Sequence, residues 1–219
     1  MAIQSQVTML LNQGVLAWND WRFANPSVFI DLSGADLHGA HLTLADLNGA
    51  NLSRADLRRA NLTNALLGGA TLTGATLSHA TIKDATLPNA NFSRADLSGA
   101  DLSRGRLEMV DFSHATLTDA TVSGTLMDAN FSGADLSAAT LGGTLTHANL
   151  SRAILRGATL SDADLGAATL TCADLTHANL SDANLSGADL THATGTTPEQ
   201  LAQARSLQGT TMPDGSKHS

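Results

Sequence analysis

The sequence has few aromatic residues and only one cysteine. Phe, Trp and Tyr together make up 3% of the 219 residues, and Tyr is absent. A core without large rings has to be filled by other side chains, here Leu and Ala, and this predicts a narrow, regular interior. Because Cys172 is alone, no internal disulfide can form.

Basic residues are also scarce. The chain has 12 Lys and Arg against 20 Asp and Glu, which gives a formal net charge of −8. Direct binding to a nucleic-acid backbone needs clustered positive charge, so we expect none here. The acidity leaves two alternatives open: a solvated surface, or a surface that imitates nucleic acid for a protein partner.

Long apolar runs are missing as well. No stretch approaches the roughly 20 apolar residues that are needed to cross a bilayer. The early run VTMLL is too short for a signal peptide and has no basic residues before it. We therefore predict a cytoplasmic protein that makes no membrane contact.

The chain is dominated by a five-residue repeat, with units such as ADLHG, ADLNG and ANLSR. We number each unit from its central apolar residue, i. Position i−2 is usually Ala, i−1 is Asp, Asn or Thr, i+1 is usually Ser or Thr, and i+2 is unrestricted in this interpretation. There are 19 centres in Leu32–Val122, four in Leu126–Leu141 and ten in Leu145–Leu190, 33 in all.

A period of five fits neither an α-helix at 3.6 residues per turn nor an alternating β-strand at two. A strict short repeat is typical of a solenoid, in which each unit packs on its neighbours. We expect the residues at i−2 and i to face inward and those at i−1 and i+2 to face outward. The Asp, Asn, Ser and Thr side chains suit a turn-rich backbone because they can bond to nearby main-chain groups.

The A(D/N)LXX pattern, from Asp31 to about Ala193, resembles the pentapeptide-repeat family. The resemblance implies an all-β solenoid, a right-handed quadrilateral β-helix with four units per coil. Thirty-three units make about eight coils, which is a rod of roughly 40 Å at about 4.8 Å per coil. Some members of the family bind DNA gyrase by imitating DNA and protect it from quinolones.

The repeat is shortened by one residue at two places. The steps Val122–Leu126 and Leu141–Leu145 span four residues instead of five. With four units per coil, both short steps fall at the same corner, after the third face, in successive coils. Gly124, Gly142 and Gly143 lie at these corners, and we expect them to supply the positive φ that a tightened corner needs.

The repeat's only phenylalanines test this assignment. If each short step tightens one corner without shifting the faces, Phe92, Phe112 and Phe131 all lie on the first face in consecutive coils. The sequence therefore predicts a stacked ladder of three phenyl rings.

We divide the chain into four parts: 1–27, an N-terminal helical cap; 28–194, the β-helix; 195–212, a C-terminal capping helix and turn; and 213–219, a flexible tail. Caps are expected because an exposed end coil would pair with other chains. Residues 3–24 are typical of two short helices broken near Gly14, with Trp18 and Trp21 packed on the first coil. Thr197 is the expected N-cap of the C-terminal helix and Pro198 its first residue.

The sequence shows no recognisable catalytic or metal site. It contains no nucleophile–base pair, phosphate-binding loop or HExxH motif. Five of the eight histidines occupy position i+2 but scatter over the faces, whereas a zinc site needs three or four converging ligands. We predict a protein that is not an enzyme and has neither a cofactor nor a metal.

One candidate surface is the outward i−1 column of the second face, which we call the acidic face: Asp36, Asp56, Asp96, Asp135 and Asp174. A column of carboxylates on a narrow rod could imitate a phosphate backbone. Alternatively, Asp is simply the residue that the repeat prefers there. A small basic spot, which we interpret as solvated, contains Arg54, Arg58 and Arg59.

A second candidate surface surrounds the least regular unit of the repeat, RGRLEMV. We call it the methionine patch: Arg104, Arg106, Glu108, Met109 and Met127. An arginine, a carboxylate and two methionines beside a remodelled corner favour protein docking.

The sequence thus predicts a non-catalytic scaffold that binds a protein partner of unknown identity. The alternative is a DNA-mimicking protein that binds gyrase and confers quinolone protection. Two features weigh against that alternative: no loop is inserted into the repeat, and PEQLAQARSLQG has the pattern of a closed cap rather than a dimer interface. We expect a monomer, with dimerisation through one end as the other possibility.

Overall fold

The computed structural model describes residues 3–219. Its repeating feature is parallel pairing between positions i−1 that are 20 residues apart. In the first coil, the pairs are Asp31 with Asn51, Asp36 with Asp56, His41 with Asn61 and Asp46 with Leu66. One coil therefore takes four pentapeptides, one for each face, and successive coils stack in parallel. The hand of the helix and the number of coils stay predictions.

The stacked coils enclose a core to which each face contributes a single layer of side chains. Every central residue in Leu32–Leu190 is at most 1% exposed, and the alanines at i−2 are buried beside them. Burying one Leu side chain contributes roughly 2 kcal/mol relative to leaving it in water. The expected inward orientation of positions i−2 and i is confirmed.

Position i+2 forms the corners and is more restricted than the sequence interpretation allowed. Outside the two short steps, its backbone is left-handed, with φ of 57° at Arg54, 58° at His79 and 59° at Cys172. β-Branched side chains and proline do not fit this conformation. No Val, Ile, Thr or Pro occupies the position in any of these corners. The residue at i+2 therefore varies only among those that tolerate a left-handed backbone.

The two short steps stack, as the sequence predicts. Strand β1 spans Asp101–Arg106, β2 spans Thr121–Thr125 and β3 spans Thr140–Thr144, and they form a parallel sheet in the order β1-β2-β3. Strands β2 and β3 pair residue for residue, whereas β1 has an extra residue and bulges between Leu102 and Gly105. With one residue fewer, the chain crosses the corner in an extended conformation.

A column of glycines makes this crossing possible. A Cβ atom on Gly124 would lie 2.1 Å from the carbonyl oxygen of Gly105, and one on Gly143 would lie 2.2 Å from the carbonyl oxygen of Gly124. Gly124 has a φ of 131° and Gly143 a φ of 89°, so the expected positive φ is confirmed at both. The same expectation is wrong for Gly142, whose φ is not positive and whose added Cβ would make only an ordinary contact of 3.7 Å.

The phenylalanine ladder is confirmed. The ring centroids of Phe92 and Phe112 are 5.3 Å apart, and those of Phe112 and Phe131 are 5.0 Å apart. The interplanar angles of 29° and 13° make both contacts stacked. The faces therefore keep their register across the shortened corner between Val122 and Leu126.

The N-terminal cap covers the open edge of the first coil. Helix α1 (Gln4–Thr8) continues through a π-helical turn (Met9–Gln13) into α2 (Gly14–Ala24), and Gly14 has a φ of 82° where they meet. Trp18 is fully buried, and its indole Nε1 donates to the carbonyl oxygen of Asp46 at 2.8 Å. Its predicted packing on the first coil is confirmed.

Two amide side chains of this cap replace the missing coil. The N–H of Asp46 donates to the side-chain oxygen of Asn19, and the N–H of Asp31 donates to that of Gln6. Both distances are 2.9 Å. Main-chain groups of the first coil that have no coil below them are thereby satisfied.

The C-terminal cap is a short helix, α3 (Pro198–Leu201), with a capping box between Thr197 and Gln200. The Gln200 side chain also donates to the carbonyl oxygens of Leu175 and Ala178, at 3.0 and 2.6 Å. These bonds fasten the helix to the last coils.

Coil pairing resumes after α3, beyond the expected boundary at residue 194. Ser206 pairs with Asn184 and Thr211 with Asp189, because both residues occupy the i−1 position of further units. The segment expected to be a flexible tail folds back, and its Lys217 pairs antiparallel with Thr211. The four-part division of the chain stays a prediction.

The glycine column gives the first prediction. Gly124→Ala should lower the free energy of unfolding by about 3 kcal/mol, because the methyl group meets the main chain of Gly105 and φ is left-handed. Urea denaturation measures the change. Gly142→Ala is the matched control, one residue before Gly143, and should cost less than about 1 kcal/mol. Equal effects of the two substitutions would contradict the role of the column.

Candidate protein-binding surfaces

The acidic face is a continuous column. Its five aspartates stack through the intervening residues Thr76, Thr116 and Ile154, with each member paired to the next coil. The structure therefore brings together the side chains that the sequence selected.

Each carboxylate of this face is used by its own turn. The Oδ1 atom accepts the main-chain N–H two residues later, at 3.0–3.1 Å, in Asp36, Asp56, Asp96, Asp135 and Asp174. Asn51 on the first face makes the same bond to Ser53 at 3.1 Å. Since a neutral amide serves equally, the turn requires the acceptor oxygen rather than the charge.

Two of the five charges are already paired. The Arg58 guanidinium donates to both carboxylate oxygens of Asp56, at 2.8 and 2.6 Å, and this side-chain bond lowers the pKa of Asp56 to about 2. Arg156 pairs with Asp174, and the Thr176 hydroxyl together with Arg156 holds the pKa of that carboxyl below its usual value. The uncompensated charge of the face is therefore smaller than its sequence indicates.

The methionine patch contains two adjacent exposed side chains. Met109 donates its N–H to the carbonyl oxygen of Met127 at 3.0 Å, so the two residues lie in neighbouring coils. Met109 is 54% exposed and Met127 is 45% exposed. Met109 stands at a left-handed corner, with a φ of 56°.

The charged members of the patch are bonded to different degrees. Arg104 is held by Asp84 through two bonds, at 2.7 and 2.6 Å, and is thus already occupied. Arg106 lies 3.6 Å from Glu108 and keeps a 67% exposed side chain. The sequence interpretation missed Asp84. The spacing contains the signal that could have revealed it, since Asp84 lies 20 residues before Arg104, which is one coil away at the same corner.

Glu108 acts as a support within the patch. It accepts the Thr125 hydroxyl at 2.9 Å, and Thr125 is a second residue that the sequence interpretation missed. Burial raises the pKa of Glu108, but its own main-chain N–H, Thr125 and Arg106 outweigh burial, so the pKa lies below its usual value. The carboxylate therefore stays ionised beside Arg106 at neutral pH.

Metal-ion clusters and membrane-spanning helices are not formed by residues 3–219. No three or more His, Cys, Asp or Glu side chains converge to hold a metal ion. In the same part of the chain, no helix combines the length and apolar character that crossing a bilayer requires. The expected absence of enzyme activity, cofactor and membrane contact stays a prediction.

The repeat and its four-unit coil identify the class of protein. The pentapeptide-repeat family matches in eight copies over residues 29–64, 55–94, 95–128, 110–144, 126–171 and 158–194. These matches cover three quarters of the chain, which belongs to this family. No curated protein sequence gives a significant match.

Two solved structures are similar along most of their length. HetL, a pentapeptide-repeat protein involved in heterocyst differentiation regulation in the cyanobacterium Nostoc sp. strain PCC 7120, is 33% identical, with a TM-score of 0.61. The alignment covers 91% of this chain and 98% of HetL. A trypsin-treated form of QnrB1, a plasmid-mediated fluoroquinolone resistance protein, is 20% identical, with a TM-score of 0.60 and coverages of 85% and 91%. The likeness to QnrB1 shows the fold alone.

The acidic face gives the second prediction. Asp96→Asn should change the free energy of unfolding by less than about 0.5 kcal/mol, because Asn can accept the same bonds from the Ser98 N–H and hydroxyl. Asp96→Ala removes the acceptor and should cost about 1 kcal/mol. Urea denaturation at neutral pH compares the two variants. An Asn variant as unstable as the Ala variant would show that the charge itself is required.

Proposed function

We propose that the protein is a non-catalytic scaffold that binds a protein partner through the methionine patch. The observation that carries the proposal is the adjacent pair of exposed methionines, Met109 and Met127, beside the exposed guanidinium of Arg106. Methionine adapts to an irregular partner surface, and both Met and Arg are enriched at interfaces.

The support beneath the patch favours docking. Leu107 and Leu126 are fully buried under it, and each is hydrogen-bonded to the next coil through its main-chain N–H. A surface held in this way loses little conformational freedom when a partner binds. HetL, which is 33% identical, is involved in heterocyst differentiation regulation, and this similarity supports a regulatory rather than a catalytic role.

Gyrase binding through DNA mimicry has weaker support. It rests on the acidic face and on the fold that the chain shares with QnrB1. Against it, all five carboxylates are used by their own turns, and those of Asp56 and Asp174 are paired with arginines. Monomeric state and cytoplasmic location stay predictions.

The third prediction concerns the methionine patch. The variant combines Met109→Asn with Met127→Thr. Asn89 occupies the repeat position of Met109 in the coil below, and Thr146 occupies that of Met127 in the coil above, so the repeat tolerates both replacements. The variant should lose the partner that the wild type captures from an extract of its source cells, with at least tenfold weaker binding to that partner once purified. Quantitative mass spectrometry and a titration measure the loss.

A matched control removes exposed apolar side chains elsewhere on the rod. Leu44→Asn with Ile154→Thr removes side chains that are 60% and 40% exposed. This control should retain the partner. A partner that is kept by the patch variant, or lost equally from the control, would contradict the proposed docking surface.

The fourth prediction addresses gyrase. Because the acidic face serves its own turns, the protein at micromolar concentration should neither inhibit DNA gyrase supercoiling nor relieve its inhibition by a quinolone. A gel assay of supercoiling, with QnrB1 as the positive control, measures both effects. Protection that disappears when Asp96 and Asp135 are changed to Asn would restore the DNA-mimic interpretation.

A further inference from the structure

The corner between the first and second faces carries three arginines in one column. Arg54, Arg94 and Arg152 all occupy position i+2, and we call them the basic corner. The column also contains Gly34, Gly74, His114, Gly133, Cys172 and His192. The first-face pairs beside it run without interruption from Asn51 to Asp189, so these corners are stacked above one another.

The basic corner is unusual for its charge. It contains no acidic residue. Each of the other three i+2 columns does: the column after the second face contains Asp119, the one after the third contains Asp84, Asp162 and Asp182, and the one after the fourth contains Asp128. Arg54, Arg94 and Arg152 are exposed, and within the described residues none of them makes an ion pair. None of the three guanidinium groups is therefore neutralised by direct contact, although Asp56 and Asp96 of the acidic face lie two residues after Arg54 and Arg94.

Hydroxyl groups line the column on its first-face side. Position i+1 of that face is Ser or Thr in every coil: Ser33, Ser53, Thr73, Ser93, Ser113, Ser132, Ser151, Thr171 and Thr191. Two shallow depressions run along this ladder, one bordered by Ser53 and Arg54 and one by Ser151 and Arg152. The Ser53 hydroxyl donates to Oδ1 of Asn51, and the Ser151 hydroxyl donates to Oδ1 of Asn149. The guanidinium groups are therefore the donors that remain for a carboxylate.

Glycines in the column make room for its longer side chains. The Cγ of Arg54 lies 3.9 Å from where a Cβ of Gly74 would be, and the imidazole of His114 lies 2.7 Å from where a Cβ of Gly133 would be. The Arg54 and His114 side chains therefore extend over the next coil, along the axis of the rod.

We propose that the basic corner binds an extended acidic segment of a protein partner, laid along the rod axis. Arg54 and Arg94 are two coils apart and Arg94 and Arg152 are three, or about 10 and 14 Å at the spacing of stacked strands. An extended peptide covers these distances in about three and four residues. The fitting segment therefore has the axial spacing D-x-x-D-x-x-x-D. Because successive side chains of an extended chain point to opposite faces, flexible Ser and Gly spacers are needed to turn all three carboxylates toward the rod.

The neighbouring acidic face selects this occupant over a nucleic acid. Asp96 and Asp135 each lie two residues after a member of the column, Arg94 and Gly133. Neither carboxylate makes an ion pair within the described residues. A phosphate backbone, with a charge at every nucleotide, meets that repulsion along its whole length. Three spaced carboxylates meet the three guanidinium groups instead. The proposal does not rest on the methionine patch, which lies on the fourth face.

The fifth prediction uses a peptide as the probe. Fluorescein-labelled DSGDSGSD should bind the full chain at low salt, and NSGNSGSN should bind at least tenfold more weakly. Fluorescence anisotropy measures both. A peptide with three adjacent aspartates has the same charge but cannot span the corner, and it should also bind about tenfold more weakly. Equal affinity for the spaced and the adjacent aspartates would overturn the proposal without any protein variant.

Two variants locate the site. Arg54→Asn, Arg94→Asn and Arg152→Asn together should weaken DSGDSGSD binding at least tenfold, and Asn fits these corners because Asn64 and Asn89 adopt the same φ, of 58° and 59°. The control removes three guanidinium groups from other columns: Arg59→Asn, Arg104→Asn and Arg106→Thr, the last being the residue that Thr86 supplies at this position in the coil below. The control should stay within about threefold of the wild type.

Two results would contradict this location of the site. The first is equal weakening of peptide binding by the two triple variants, which would mean that net charge alone decides binding. The second is tighter binding of a 12-nucleotide oligothymidylate than of DSGDSGSD, which would assign the basic corner to nucleic acid instead.

Discussion

The main-chain hydrogen bond between coils is the interaction on which the rest of the structure depends. Leu52 donates its N–H to the carbonyl oxygen of Thr71 in the next coil at 2.7 Å, and Asn51 donates to that of Ile30 in the previous coil at 2.9 Å. Repeated in every unit, these bonds place position i inside and arrange the other positions in outward columns. They also explain the caps, since Asn19 and Gln6 supply bonds that a missing coil cannot.

Counting residues was enough to predict the parts of the fold that depend on register. The stacked short steps and the ladder of Phe92, Phe112 and Phe131 follow from four units per coil and from the position of each missing residue. Counting could not predict the bulge at Gly105, because that unit has its full length and is reshaped by the shortened strand that follows it. The absence of β-branched residues at i+2 is visible in the sequence, but the sequence interpretation did not use it to predict left-handed corners.

The surface was harder to predict because the repeat uses charged side chains for its own turns. Asp36 and Asp96 look like a binding surface in the sequence, yet their oxygens accept bonds from the turn that follows. Arg58 was grouped with Arg54 as one basic spot, whereas the structure pairs Arg58 with Asp56 and leaves Arg54 exposed in another column. Side-chain pairing of this kind depends on the corner geometry, which the spacing alone does not contain. Candidate binding residues are those that the turns do not use.

The central claim is that the faces keep their register across the shortened corner between Val122 and Leu126. The chain has five phenylalanines, so a deuterated sample with protonated Phe gives a simple spectrum of ring-to-ring nuclear Overhauser effects. The account predicts contacts between Phe92 and Phe112 and between Phe112 and Phe131, whose centroids are 5.3 and 5.0 Å apart. A contact between Phe92 and Phe112 with none between Phe112 and Phe131 would contradict it.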